Sequence, residues 1–258
     1  LKLNTNSKEH LVLFKLDKII LKKKEIIMDP YLLGLWLGGG TSCGTGFVLN
    51  YKTDLELLEY WEKWAENNGA IITKDKRHKY SIITQDAHLC NQDEQTPLQN
   101  NLYVYNLINN KHIPNEYLTN DRVTRLKVLA GLVDTDGSVR VNRTEIRIYQ
   151  GPNNSRIIED ASTLAMSLGF SCGVKEGRNH WTDQKSGNKK ISSYKELTIR
   201  GSKLYEIPTL LPRKKLTEFT DSAQILRRTE FKESLFNLED VGIGEYVGWQ
   251  LEDKRGRF

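Results

Sequence analysis

Cysteine is scarce in this chain: Cys43, Cys90 and Cys172 are the whole supply in 258 residues. Three scattered thiols cannot build a disulfide framework, which points to a reducing, intracellular compartment. His88 and Cys90 stand two positions apart, but no second pair follows at ligand spacing, so a zinc site is not expected. Long apolar runs are missing too. None approaches the ~20 residues needed to cross a bilayer, so no membrane role is expected. The opening Leu1-Lys2-Leu3-Asn4 has neither an initiator Met nor a signal-peptide pattern. It reads as the interior of a longer product or as a trimmed boundary. Hydrophobic residues make up only 38% of the chain, charged residues 28%, and mean hydropathy is −0.55. That is little apolar material for one compact core, and the length suits one large domain or two ordinary ones.

What the chain does have is a local excess of positive charge and a repeat. Net charge is +5, yet residues 171–215 alone hold eleven Lys and Arg against four acids. Such a cluster favours a polyanionic partner; the plainer alternative is a lysine-rich solvated face. The repeat is a nine-residue motif. Leu32-Leu-Gly-Leu-Trp-Leu-Gly-Gly-Gly40 returns 97 positions later as Leu129-Ala-Gly-Leu-Val-Asp-Thr-Asp-Gly137. Asp29-Pro30 starts the first motif helix with a capping carboxylate and a proline where no N–H is needed. Gly38, Gly39 and Gly40 stop it. A second motif helix is expected over residues 121–133.

Each motif is followed by a strand, a helix closed by a glycine, and another strand. In the first copy these fall at residues 47–49, 54–68 with Gly69, and 70–73. In the second they fall at 144–150, 154–168 with Gly169, and 170–174. Further strands are expected at 11–14, 18–21, 80–84, 138–141 and 194–200, and further helices at 95–109, 202–211 and 217–228. Gly187 and Asn188 mark a hairpin loop. The tail from residue 230 turns β-like. A duplication of this period describes two halves of one domain, not a solenoid.

Two physical requirements sit in the motif. Gly34 and Gly131 carry no side chain, so two helices can meet backbone to backbone and bring their ends together on a pseudo-twofold axis. Asp136 then lies at a helix C-terminus, beside carbonyls that already present partial negative charge. A carboxylate with free carbonyls suits a hard divalent cation, Mg²⁺ above all with Mn²⁺ as a substitute, and the candidate ligands are Asp136, Gly38 and Thr135. Two such acids could hold metals at a phosphodiester and activate water. Asp134 is expected to serve the helix end instead. The acid is present only once, because Gly39 stands opposite Asp136.

The second motif resembles that of the LAGLIDADG homing endonucleases, and the first is similar to the motif of their intein-encoded branch, which usually ends Gly-Asp-Gly. The resemblance covers roughly residues 29–222. It implies an α+β fold of two αββαββα halves (about 29–120 and 121–222) whose β-ribbons enter the major groove of a long, near-unique duplex site, cut with Mg²⁺. The chain would be a monomer with internal pseudo-dimer symmetry, acting on nuclear, viral or cellular DNA. By position, Lys111 in Lys-His-Ile-Pro and Lys215 in Pro-Arg-Lys-Lys-Leu match basic residues near the two scissile phosphates, where they stabilise charge or orient water.

DNA contacts are expected from Lys74, Lys76, Arg77 and Lys79 in the first half. In the second half they are expected from Arg140, Arg143, Arg147, Lys185, Lys189, Lys190 and Arg200. Residues 1–28 and 223–258 resemble the two parts of an intein splicing (Hint) domain, with His10 in the place of the histidine that polarises the first splice junction. No terminal nucleophile and no closing His-Asn are present, so splicing is not expected of this chain. The reading is therefore a homing endonuclease with cleavage impaired at Gly39. The alternatives are a cleavage-dead DNA-binding module and an inactive fragment of a self-splicing protein.

Overall fold

The computed structural model describes residues 12–14, 18–50, 52–75, 79–84, 95–140, 145–182, 187–217, 233–235, 242 and 244–245. The chain divides into two compact units, Leu16–Phe231 and one drawn from both ends, Leu1–Lys15 with Lys232–Phe258. In the second of these, strand β1 (Val12–Phe14) pairs antiparallel with β9 (Glu233–Leu235), residues more than two hundred positions apart.

Unit Leu16–Phe231 is built around two helices, α1 (Pro30–Gly39) and α5 (Arg122–Asp136). Asp29 caps α1 by accepting from the Tyr31 and Leu32 amides, and Asp121 caps α5 by accepting from Thr124 N. Pro30 to Leu37 are buried on every side of α1, as a helix apolar all round requires. Between these helices come β2 (Gly46–Val48), α2 (Leu55–Asn67), β3 (Ala70–Lys74), β4 (Lys79–Thr84), α3 (Pro97–Val104) and α4 (Asn115–Leu118). After α5 come β5 (Gly137–Arg140), β6 (Glu145–Gln150), α6 (Ser155–Ser167), β7 (Ser171–Thr182) and β8 (Lys189–Arg200). The architecture is α+β with antiparallel sheets.

The two larger sheets run in matching order, β2-β4-β3 and β5-β6-β8-β7. Each is backed by one amphipathic helix. Leu57, Trp61 and Ala65 of α2 meet the first sheet, with Phe47 stacked on Trp61 at 4.3 Å. Ile157, Ile158, Ala161, Leu164 and Ala165 are the buried apolar stripe of α6. Gly69 and Gly169 close these helices at positive φ, +63° and +94°. The sheets differ at one edge. The β5–β6 pairing starts at Gly137, whereas after α1 only a single bridge, Gly40 to Phe47, takes its place. The first hairpin expected after the first motif is thus reduced to one contact.

Several other expectations are corrected. Residues 18–21 form no strand; Ile19 N instead bonds to the Ser167 carbonyl at 2.9 Å. The helix expected at 95–109 is the shorter α3, and the one at 202–211 is a single 3-10 turn, Leu204–Glu206. The β7–β8 ribbon is much longer than expected, with register continuous from Ser171↔Arg200 to Thr182↔Lys189. Residues 218–228, like His10, lie outside the described residues. No helix among the described residues is long and apolar enough to cross a membrane.

Candidate active site and nucleic-acid surface

The site begins with two missing side chains. A Cβ on Gly34 would collide with the Val128 carbonyl oxygen and stand 2.9 Å from Gly131 Cα. One on Gly131 would collide with the Tyr31 carbonyl oxygen and stand 2.6 Å from Leu35 N. Tyr31 and Val128 are themselves 97 positions apart, so the contact is reciprocal. One turn further on, Gly38 faces Thr135 across the axis. Helices α1 and α5 therefore lie backbone against backbone, with their C-terminal ends side by side.

Each end is covered by a buried lysine. Lys111 Nζ donates to the carbonyls of Trp36 (3.0 Å), Leu37 (2.8 Å) and Gly40 (2.7 Å). Lys214 Nζ donates to those of Val133 (2.8 Å), Asp134 (2.6 Å) and Thr135 (3.2 Å). An ammonium is the natural partner for carbonyls left over at a helix C-terminus. Burial nevertheless lowers both lysines to a pKa of about 8. The lysine expected here from the sequence is the neighbouring Lys215. Lys215 is exposed, while the 3-10 turn Pro212–Lys214 turns Lys214 inward.

Asp136 lies between these cations. Burial pushes its carboxyl up, and Lys111, a hydrogen bond from Gln150 and Lys214 act against that rise. A Cβ on Gly38 would stand 3.2 Å from Asp136 Oδ2, which puts the carboxylate against the end of α1. Asp134 points away from this site. It is 1% exposed and accepts from Tyr31 Oη (2.6 Å), Leu210 N (2.7 Å) and Leu211 N (3.3 Å). It thereby fastens the segment that carries Lys214. Neither Lys214 nor this clamp was found from sequence; the adjacent lysines at 214 and 215 were the available signal.

Of the ligands expected for a metal, Thr135 is turned away. The carbonyl of Thr135 accepts from Lys214, and its hydroxyl turns into its own helix, toward the carbonyls of Gly131 (2.9 Å) and Leu132 (3.2 Å). Among the described residues no three His, Cys, Asp or Glu side chains gather as a metal centre. Of the three expected ligands, Asp136 is the one that offers a carboxylate. That fits an ion which keeps most of its water and takes its other ligands from phosphate, as Mg²⁺ commonly does.

The basic residues divide by sheet. In the second sheet Arg147 pairs with Glu145 and Glu196, and Arg200 with Glu145. Arg140 and Lys189 are exposed, and Lys190 lies over the Trp181 ring. In the first sheet Lys79 is half-buried and Lys74 sits over the Tyr80 ring at 5.4 Å. Lys76, Arg77, Arg143 and Lys185 lie outside the described residues. The site and the two sheet surfaces thus belong to one unit.

Comparison with known proteins points the same way. Residues 112–206 match the family model described as homing endonuclease. This stretch runs from α4 through β8 and includes Asp136. A replicative DNA helicase DnaB from Mycobacterium intracellulare is 30% identical over 158 residues, 61% of this chain and 22% of that protein. The chain thus spans about a fifth of the helicase's length. The family match covers little more than a third of the chain.

Proposed function

We propose that the chain is an intein-derived, site-specific endonuclease of the LAGLIDADG kind, made of two related halves of which only one retains its acid. The observation that carries this reading is the pairing of Lys111 and Lys214 on the ends of two packed motif helices, with Asp136 between them. The two ammonium groups offset the negative ends of the helices, so that a backbone phosphate can approach Asp136. Water adds to phosphorus and an ester P–O bond breaks. The proton from water leaves through Asp136, and the departing oxygen takes one from solvent water. A divalent cation, Mg²⁺ or Mn²⁺, would be held by Asp136 and phosphate, supplying charge neutralisation and a more acidic water.

Gly39 removes the counterpart of Asp136, so the chain cuts one strand at most. The ends of the chain, about 1–28 and 223–258, are the flanking parts of a splicing domain; their β1–β9 pairing supports that assignment. A match limited to a fifth of a helicase fits a segment lodged within a host protein. The chain acts as a monomer on long duplex DNA. The test is incubation with supercoiled plasmids carrying an uninterrupted replicative-helicase gene or cloned random inserts, with Mg²⁺ or Mn²⁺. Nicked circles that disappear with Asp136→Asn are expected. Sequence-selective binding without nicking would favour the binding-module alternative, which the glycine at position 39 also supports.

A further inference from the structure

The outward face of the second sheet, opposite α6, holds two acids, Glu145 and Glu196, on a surface meant for a polyanion, and Glu145 is the buried one. Strand alternation puts Glu145, Arg147 and Tyr149 of β6 on this face, because Ile146, Ile148 and Gln150 are buried on the other. Register sets Glu145 beside Arg200 on one side and Arg140 on the other. Although it belongs to the outward face, Glu145 is only 2% exposed. Two guanidinium groups cover it. Arg147 Nε donates to Oε1 at 2.6 Å, and Arg200 donates to Oε2 through Nε at 2.8 Å, with Nη2 2.6 Å from the same oxygen.

The two arginines are held differently. Arg147 is also 3.2 Å from Glu196, itself tied to Thr198 Oγ1 at 3.1 Å, and its side chain is 20% exposed. It is locked into the sheet from both sides. Arg200 uses only its Nε–Nη2 edge on Glu145, and its side chain is 49% exposed. A guanidinium has five N–H groups in a rigid fork. With the side edge occupied, the end edge of Nη1 and Nη2 stays directed away from the carboxylate, and among the described residues no partner takes it. Burial pushes the Glu145 carboxyl up, but hydrogen bonds from both arginines outweigh this and hold it below its ordinary value. The carboxylate is thus a fixed anchor across the working pH range.

We infer that Arg200 reads a guanine in the major groove through its free Nη1–Nη2 edge, and that Glu145, itself fixed by Arg147, is the residue that positions it. A fork held in one plane meets the O6 and N7 acceptors of guanine, which no other base presents together. Anchoring it beforehand reduces the ordering cost of a long side chain on binding. A mobile lysine or an unanchored arginine would add attraction to phosphate without choosing a base. Glu145 therefore lowers the overall positive charge of the face and raises its selectivity. This inference rests on the DNA-binding reading given above and adds one base contact to it.

The test is selection of bound duplexes from a randomised library by the full chain, followed by affinities for the selected site and for an unrelated duplex. The unaltered chain should enrich sites with a guanine at one position, preferred by about ten- to a hundredfold. Arg200→Ala and Arg200→Lys should erase that preference alone and leave the others in place. Glu145→Gln should weaken the same preference while binding to the unrelated duplex is kept or increased. An unchanged guanine preference in Arg200→Ala overturns the inference, and one lost in Arg200→Ala but kept in Glu145→Gln overturns the role of Glu145. A purely structural Glu145 would lower melting temperature without touching a single base preference. If the unaltered chain enriches no sequence, the site-specific reading itself falls, a result distinct from either of these.

Discussion

At the scale of single residues, the buried lysines are the groups whose chemistry is most unusual. In the fold both have a pKa of about 8, whereas an unfolded lysine titrates near 10.4. Between those values the unfolded chain binds more protons, so this pair makes the fold relatively more stable as pH rises from about 8 towards 10. Below 8 both are charged in either state and contribute no pH dependence. Urea melts from pH 7 to 9.5 should therefore show the unaltered chain gaining on a Lys111→Met/Lys214→Met variant only above pH 8. The gain is bounded at about 1.4 kcal/mol per pH unit for each lysine. A constant difference across the range would mean the amines are not desolvated. Asp134 makes a second residue-scale prediction. Asp134→Asn weakens three buried hydrogen bonds to an anion and should cost about 2–4 kcal/mol in the same melts. Because it also frees residues 210 and 211, hydrogen exchange at those amides should rise; protected amides would contradict the clamp.

At the scale of elements, the packing of α1 on α5 admits no side chain at its crossing. Gly34→Ala and Gly131→Ala each drive a methyl group into backbone of the other helix, so each should cost at least about 3 kcal/mol or prevent folding. Gly151→Ala, where a Cβ meets nothing within 4 Å, is the control and should melt close to the unaltered chain. This element pair was legible in the sequence because small residues recur at a fixed offset and Asp29-Pro30 is a strong start signal. Helix α6 was legible from its apolar period and Gly169. The β7–β8 ribbon was legible only at its base, near 171–174 and 194–200, and at its loop. Its outer part is exposed on both faces, so no alternation of apolar and polar residues records the strand. Residues 18–21 misled in the opposite way: Ile19-Ile20-Leu21 is a β-like apolar run, but Arg125 Nη2 bonds to the Ile19 carbonyl at 2.7 Å and no strand pairs with it among the described residues. Lys214 was missed because choosing between adjacent lysines depends on a three-residue turn that pattern alone does not place. Glu145 was missed because its meaning lies in cross-strand register, which joins residues 55 positions apart.

At the scale of the whole unit, two halves with matching sheet order serve one end of a helix pair, yet they are unequal in almost every functional respect. The first lacks the acid, and after its motif a single bridge replaces a strand. The second keeps Asp136, the long ribbon and the arginine network. The missing acid itself is a difference at one position. A Cβ on Gly39 would meet only Thr135 Cγ2 and the Val48 carbonyl at 3.3 Å, a contact that a small shift relieves, whereas one on Gly38 would collide with the Thr135 hydroxyl. Position 39 can thus accept an aspartate where position 38 cannot. The most direct measurement compares the unaltered chain with Gly39→Asp on a supercoiled plasmid bearing the selected site, with Mg²⁺ present. Nicked circles from the first and linear DNA from the second are predicted. Equal products from both, with DNA binding intact, would contradict the account that the missing carboxylate is what separates the two halves.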